Sequence, residues 1–173
     1  LRYVDGTLVS AETRGDGYIG EDVLHNVLAI KNVPGYIGYK EELIIDGEVI
    51  CKYQDFEPFA DLYKNPRNFA AGSIRLLNNQ ESANRNLSFV AWDVIKGFDE
   101  EKSLVAKLGL ISKLGFESVF NVEVGATDPE VIIQIIKSIS KNYGYPIDGV
   151  VLKIDDYDKR MAEEGTSHHL GGA

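Results

Sequence analysis

Apolar positions along the chain follow two periods, and the switches between them mark out its elements. Tyr3-Val4, Asp5-Gly6 and Thr7-Leu8-Val9 place a type I′ turn dipeptide between two β-prone runs, which predicts a hairpin. Residues 1–4 precede that turn while the partner run reaches about Thr13, so the chain is expected to begin in mid-strand. After the glycine-rich run Arg14-Gly15-Asp16-Gly17-Tyr18-Ile19-Gly20, a helix should open at Glu21-Asp22. Val23, Val27 and Ile30 give it a core face, and Pro34-Gly35 close the unit. Leu43 to Tyr53 is β-prone, and Asp55 is placed to cap a short helix reaching Tyr63. Asn65-Pro66 is a stronger start signal, an N-cap followed by proline at the first helical position. That helix should turn Phe69, Ile74 and Leu77 inward and stop near Asn78-Asn79.

The second half continues the pattern. Leu87 to Ile95 predicts a strand that is mostly apolar on both faces. Lys102 to Leu114 predicts an amphipathic helix carrying Leu104, Leu108 and Ile111, ended by Gly115. Phe116 to Val124 predicts a strand, and Asp128-Pro129 a helix with Ile132, Ile135, Ile136 and Ile139 inward. Ile147 to Ile154 predicts the last strand and Tyr157 to Glu164 a short helix. This order fits an α+β fold, largely antiparallel sheet with flanking helices, better than regular βαβ alternation.

Composition narrows the class. With 173 residues, 44% of them hydrophobic, the chain can build one core and reads as one domain. It has no apolar run of membrane length, and Leu1-Arg2-Tyr3-Val4 lacks a signal-peptide core, so a cytoplasmic protein without membrane contact is expected. One cysteine, Cys51, allows neither an internal disulfide nor a cysteine-based zinc site. Lys and Arg total 18 against 27 Asp and Glu, a formal charge of −9 that repels nucleic acid at long range. Contact with DNA would need a local basic patch or segments outside these residues.

Asp-Gly occurs at Asp5, Asp16, Asp46 and Asp148. The first is a turn and the second lies in a loop. The last two fall inside apolar runs and have two readings. Each is a hairpin turn, or each is one strand whose glycine admits a ligand. In the second case Glu48, Asp148 and Lys153 project from a sheet, two acids and a lysine suited to a nucleotide. Arg67 and Arg75 lie about 80° apart on the Asn65-Pro66 helix, either a phosphate clamp or two solvated cations. Trp92, the sole tryptophan, is either core packing or a stacking platform for a base. Cys51 reads as a packed thiol and His25 as a helix-surface residue. His168-His169 lack a third ligand.

Five blocks in order resemble the adenylation (nucleotidyltransferase) domain of NAD-dependent DNA ligases. They are Ser10-Ala11-Glu12-Thr13-Arg14-Gly15-Asp16-Gly17, then Gly20-Glu21-Asp22-Val23 with Asn26, then Asp46-Gly47-Glu48-Val49. Asn65-Pro66-Arg67-Asn68-Phe69-Ala70-Ala71-Gly72-Ser73-Ile74-Arg75 and Ile147-Asp148-Gly149-Val150-Val151-Leu152-Lys153 complete the set. The resemblance implies that Arg14 contacts the nucleotide, Glu48 lies near the ribose and Trp92 stands against adenine. Asp148 would support Mg²⁺, Lys153 would meet the AMP phosphate, and Arg67 and Arg75 would engage phosphates of nucleotide or nicked double-stranded DNA. It further implies a reaction through lysyl-AMP and DNA-adenylate, with NAD as the adenylyl donor.

Departures from the family pattern shape the expectation. The family's nucleophile motif, Lys-x-Asp-Gly, occurs nowhere in the 173 residues, and the last basic motif is also missing. Leu24 and Leu28 stand where Thr and Arg are frequent, the stretch between Glu48 and Asn65 is short, and Ser140 beside Lys141 replaces an arginine. The chain is therefore expected to be the central part of the domain, incomplete at both ends and inactive alone in self-adenylylation. A second chain supplying the missing motifs is compatible with the same residues. The rival readings are a non-catalytic nucleotide- or DNA-end-binding module and an ATP-dependent polynucleotide ligase.

Overall fold

Asp5 and Gly6 both take the left-handed backbone, φ +49° and +81°, that a two-residue hairpin turn requires. They join β1 (Arg2–Val4) to β2 (Thr7–Ser10), with Val4 opposite Thr7. The computed structural model describes residues 1–14, 20–76, 78–125, 128–140, 142–147 and 149–169. Among them one open, wholly antiparallel sheet runs in the order β2-β1-β3-β4, with β3 at Leu43–Ile50 and β4 at Ser88–Lys96. Seven α-helices accompany it among the described residues. The α+β expectation holds.

Asp46-Gly47 lies within the continuous strand β3, so the hairpin alternative fails there. The reason for the glycine is packing. A Cβ on Gly47 would press on the Phe89 ring and come within 2.5 Å of the Val90 carbonyl oxygen. The tight approach is thus to the neighbouring strand, which is a different cause from admission of a ligand.

The start signals at Asn65 and Asp128 hold, whereas Asp55 lies inside its helical turn and caps nothing there. Asn65 caps α3 (Pro66–Ser73) by accepting a bond from Asn68 N at 2.8 Å. Ser103 caps α5 (Leu104–Lys113) in the same way through Ala106 N, and Gly115 follows it at φ +104°. Asp128 accepts from Glu130 N ahead of α6 (Pro129–Ser140). α7 (Tyr157–His169) is longer than expected. Other elements depart from the pattern. α1 is a single turn, Leu24–Val27, since Glu12 and Asp22 pair as a β-bridge and hold the preceding residues extended. α2 (Tyr53–Phe56) passes into a 3₁₀ turn at Glu57–Phe59. The sequence shows no advance sign of α4 (Asn79–Ala83), which Asn78 caps. Leu77 lies outside the described residues.

The largest corrections concern strands. Phe116 to Val124 contributes only one parallel bridge, Ala91 to Ser118, along the free edge of β4. Residues 147 and 149–154 form no strand. Both runs have the composition of strands, but a strand needs a paired neighbour, and beyond that bridge the described residues give them none.

The core gathers Tyr3, Leu43, Ile45, Phe69, Phe89, Val94 and Ile111 between one sheet face and α3 and α5. Phe69 is its centre, with the rings of Phe56, Phe59 and Tyr63 at centroid distances of 5.6, 4.6 and 4.9 Å. No helix among the described residues is long and apolar enough to cross a membrane.

Candidate nucleotide site

The site is set by an irregularity in β4. Gly47 pairs with Ala91 and Asp46 with Asp93, so Trp92 is an extra residue, a β-bulge. Alternation sends Ala91 and Val94 to the core, and the bulge places both Trp92 and Asp93 on the opposite face. Trp92 is 39% exposed there while Asp93 is buried. Glu48, exposed on β3, pairs with Val90 on the same face.

Asp93 is the most heavily engaged acid in the described structure. Its Oδ1 accepts from Val94 N at 2.8 Å and from the Tyr157 hydroxyl at 2.7 Å, with Arg160 Nη2 at 3.5 Å. Its Oδ2 takes the Lys153 ammonium at 3.1 Å. Burial pushes the Asp93 carboxyl upward, but the hydrogen bonds from Tyr157 and Lys153 and the charges of Lys153 and Arg160 outweigh it. The acid is held below its ordinary range. Burial, then the bond to Asp93, pushes the Tyr157 phenol far up. Two cations lie over that ring, Lys107 Nζ at 4.1 Å and Arg160 Cζ at 4.2 Å from its centroid. Burial lowers the Lys107 ammonium. A cleft of about 470 Å³ opens beside this cluster, between the end of β4, α5 and α7. Neither Trp92, Glu48 nor Lys153 lines it.

The fold therefore brings Trp92 and Lys153 together through Asp93, with Glu48 on the adjacent strand. A second group forms elsewhere. Thr13 N donates to Glu21 O at 2.9 Å, and Glu21 Oε2 holds Arg75 Nε at 2.6 Å, which ties Arg75 to the segment carrying Arg14. Arg14 and Arg75 are both exposed. Arg75 lies beyond the end of α3, whereas Arg67 is exposed in its first turn, so the two do not share one helix as expected. Buried Asn26 fixes this corner, donating from Nδ2 to Ile74 O at 2.7 Å and to Leu76 O at 2.6 Å. α3 packs on the core side of the sheet, away from the face of Trp92 and Asp93.

Asp148, Gly15, Asp16 and Gly17 lie outside the described residues. Among the described ones, no three His, Cys, Asp or Glu side chains converge where they could hold a metal ion. Cys51 is buried as expected, and burial raises its thiol to about 11, so it is no nucleophile at neutral pH. His25 is exposed, with Nε2 3.2 Å from Leu76 O.

Asp93, Tyr157 and Arg160 escape a reading of the sequence. The one available signal is Asp93 itself, a lone charge inside the apolar run Phe89-Val90-Ala91-Trp92-Asp93-Val94-Ile95.

This sequence is similar to part of proteins named DNA ligase. The DNA ligase of Lachnoclostridium phytofermentans is 40% identical over 166 residues, covering 90% of this chain and 25% of its own length. That of Helicobacter hepaticus is 38% identical over 165 residues, covering 90% and 25%. That of Borrelia duttonii is 36% identical over 178 residues, covering 98% and 27%. The chain thus spans about a quarter of the length of these relatives. Residues 1–169 match the family of NAD-dependent DNA ligase adenylation domains, and the chain belongs to that family.

Proposed function

We propose that residues 1–173 form the central part of a nucleotidyltransferase fold in a ligase that seals nicked double-stranded DNA. In this reading NAD is the adenylyl donor, lysyl-AMP and DNA-adenylate are the intermediates, and NMN and AMP are released. The observation that supports it best is the junction on β4 and β3 of an exposed indole, a lysine ammonium and an exposed carboxylate. An adenylate presents a flat base, ribose hydroxyls and a phosphate, and Trp92, Glu48 and Lys153 offer a stacking face, an acceptor and a cation for them. Arg14 would contact the nucleotide, and Arg67 and Arg75 phosphates of nucleotide or DNA. Asp148 would hold Mg²⁺, which when bound supplies charge neutralisation at the transferred phosphoryl group.

Trp92 is the only tryptophan, so its emission reports directly on this site. AMP and NAD should each change it in a saturable way. Lys153→Ala should weaken AMP binding by about tenfold or more, the worth of one charge-assisted hydrogen bond. An unchanged emission at saturating AMP, or equal affinity in Lys153→Ala, would sink the reading. Because Lys-x-Asp-Gly is absent from the sequence, the intact mass should be unchanged by NAD and Mg²⁺. A gain of one AMP would contradict that. Comparing NAD with ATP as donor in a complete ligase carrying these residues separates the NAD-dependent from the ATP-dependent reading.

A further inference from the structure

We infer that Asp93 is a positioning residue for the phosphate-binding lysine, holding the Lys153 ammonium beside Trp92 so that a nucleotide's phosphate meets a cation already in place. This deepens the nucleotide reading and rests on it.

Lys153 lies on residues 149–154, which form no regular element, and its neighbours Val151 and Leu152 are 76% and 63% exposed. The backbone there gives the lysine little to lean on. A flexible four-carbon stem loses rotamer freedom when a ligand fixes it, and a fixed partner supplies that ordering beforehand. Asp93 has the properties of such a partner. It is 8% exposed, and three donors hold its Oδ1: Val94 N, the Tyr157 hydroxyl and Arg160. Oδ2 is engaged by Lys153 alone among the described residues.

The two ends of the pair are unequal. The Asp93 side chain is 11% exposed and that of Lys153 34%, so the carboxylate is the anchored end and the ammonium the accessible one. A lysine ammonium has three donors, and the bond to Oδ2 uses one of them. The remaining donors can serve a phosphate without breaking the pair. The bulge then sets the distance to the base platform, because Asp93 directly follows Trp92 on the same face. Downstream of Lys153 the segment is docked as well. Asp155 Oδ1 accepts from Val105 N at 2.9 Å and Tyr157 N donates to Lys102 O at 2.9 Å.

Calorimetric titration of the 173-residue chain with AMP and with adenosine tests this, since adenosine carries the same base and ribose without the phosphate. Lys153→Ala should weaken AMP and leave adenosine unchanged. Asp93→Asn, which keeps the shape, should weaken AMP by about fivefold, leave adenosine unchanged, and add nothing in the Lys153→Ala background. If Asp93→Asn does not fold, Asp93→Glu carries the same expectation, because it keeps the charge but displaces it by one methylene. Should Lys153→Ala weaken AMP while the Asp93 variant binds it as well as or better than the unsubstituted chain, this inference is overturned and the nucleotide reading stands. Equal weakening of AMP and adenosine by the Asp93 variant would also overturn it, because that is a loss of structure. No AMP binding by the unsubstituted chain, or no effect of Lys153→Ala, would overturn the nucleotide reading itself and this inference with it.

Discussion

Up to Phe116 the large apolar side chains mostly converge on a single cluster; in the described residues after it, many of the same residue types face solvent. Every buried member of the core lies between Tyr3 and Phe116. Beyond it, Phe120, Val122, Val131, Ile133 and Val150 are about half exposed, Leu152 is 63% and Val151 76% exposed. What fastens the later region to the earlier one is chiefly polar: the Asp93 cluster, and the bonds of Asp155 and Tyr157 to the start of α5. Apolar burial holds the first region and is nearly indifferent to pH, whereas the junction depends on charges that titrate and are screened by salt. Trp92 and Lys153, which we propose meet the nucleotide, straddle that junction, one from each region.

The sharpest way to test the contrast is to damage the core. Phe69→Ala removes the ring at the centre of the Phe56, Phe59 and Tyr63 cluster, in a residue with no exposed surface. A loss of about 3–5 kcal/mol in urea unfolding is expected, enough to unfold a marginal domain. A loss under about 1 kcal/mol would mean that Phe69 is not central to the cluster.

Gly47→Ala should come next. Its new methyl would meet the Phe89 ring and the Val90 carbonyl, and a backbone carbonyl in a strand pair cannot swing aside. Overpacking of this kind costs about 1–3 kcal/mol. Because Gly47 and Asp46 flank the bulge at Trp92, the variant should also shift Trp92 emission, and an unchanged emission with unchanged stability would show that β3 and β4 lie further apart.

What could be read from the sequence divides along similar lines. The Asp5-Gly6 turn and the cap at Asn65 are local devices, complete within a few residues, and each is where the pattern puts it. The runs from Phe116 and Ile147 carry the composition of strands but form none among the described residues, because pairing is non-local and composition cannot supply a neighbour. Asp46-Gly47 carries a local hairpin signal, yet sheet pairing with β4 overrides it. Of the expected site residues, Trp92 and Glu48 share one sheet face, and Lys153 reaches that face from an irregular segment through Asp93. The residue that links two of them, Asp93, becomes visible only once the bulge and the docking of α7 are known.

Acid should act on the junction before the core. The folded Asp93 carboxyl titrates below its ordinary value of 3.8, so the folded state holds it ionised more tightly than the unfolded chain does. Its contribution is therefore fully present above 3.8 and is lost as pH falls through the lower folded value. The stability difference between the unsubstituted chain and Asp93→Asn should stay level from neutral pH down to that point and shrink below it. A difference that grows on acidification would mean that burial wins and the carboxyl is raised.

The smallest effect belongs to the exposed apolar run. Leu152 makes no part of the core and is 63% exposed, so Leu152→Ser removes little surface that folding had hidden from water. Apolar stabilisation scales with area removed from water, and a side chain left mostly in water contributes little whatever its hydrophobicity. The change in urea midpoint should correspond to no more than about 0.5 kcal/mol, against several for Phe69→Ala in the same chain. AMP affinity should also hold, since Lys153 is fixed by Asp93 and not by its neighbour's side chain. A loss of 2 kcal/mol or more, on the order of a buried leucine, would mean that Leu152 is covered in solution and that the contrast between the two regions is smaller than their exposures indicate.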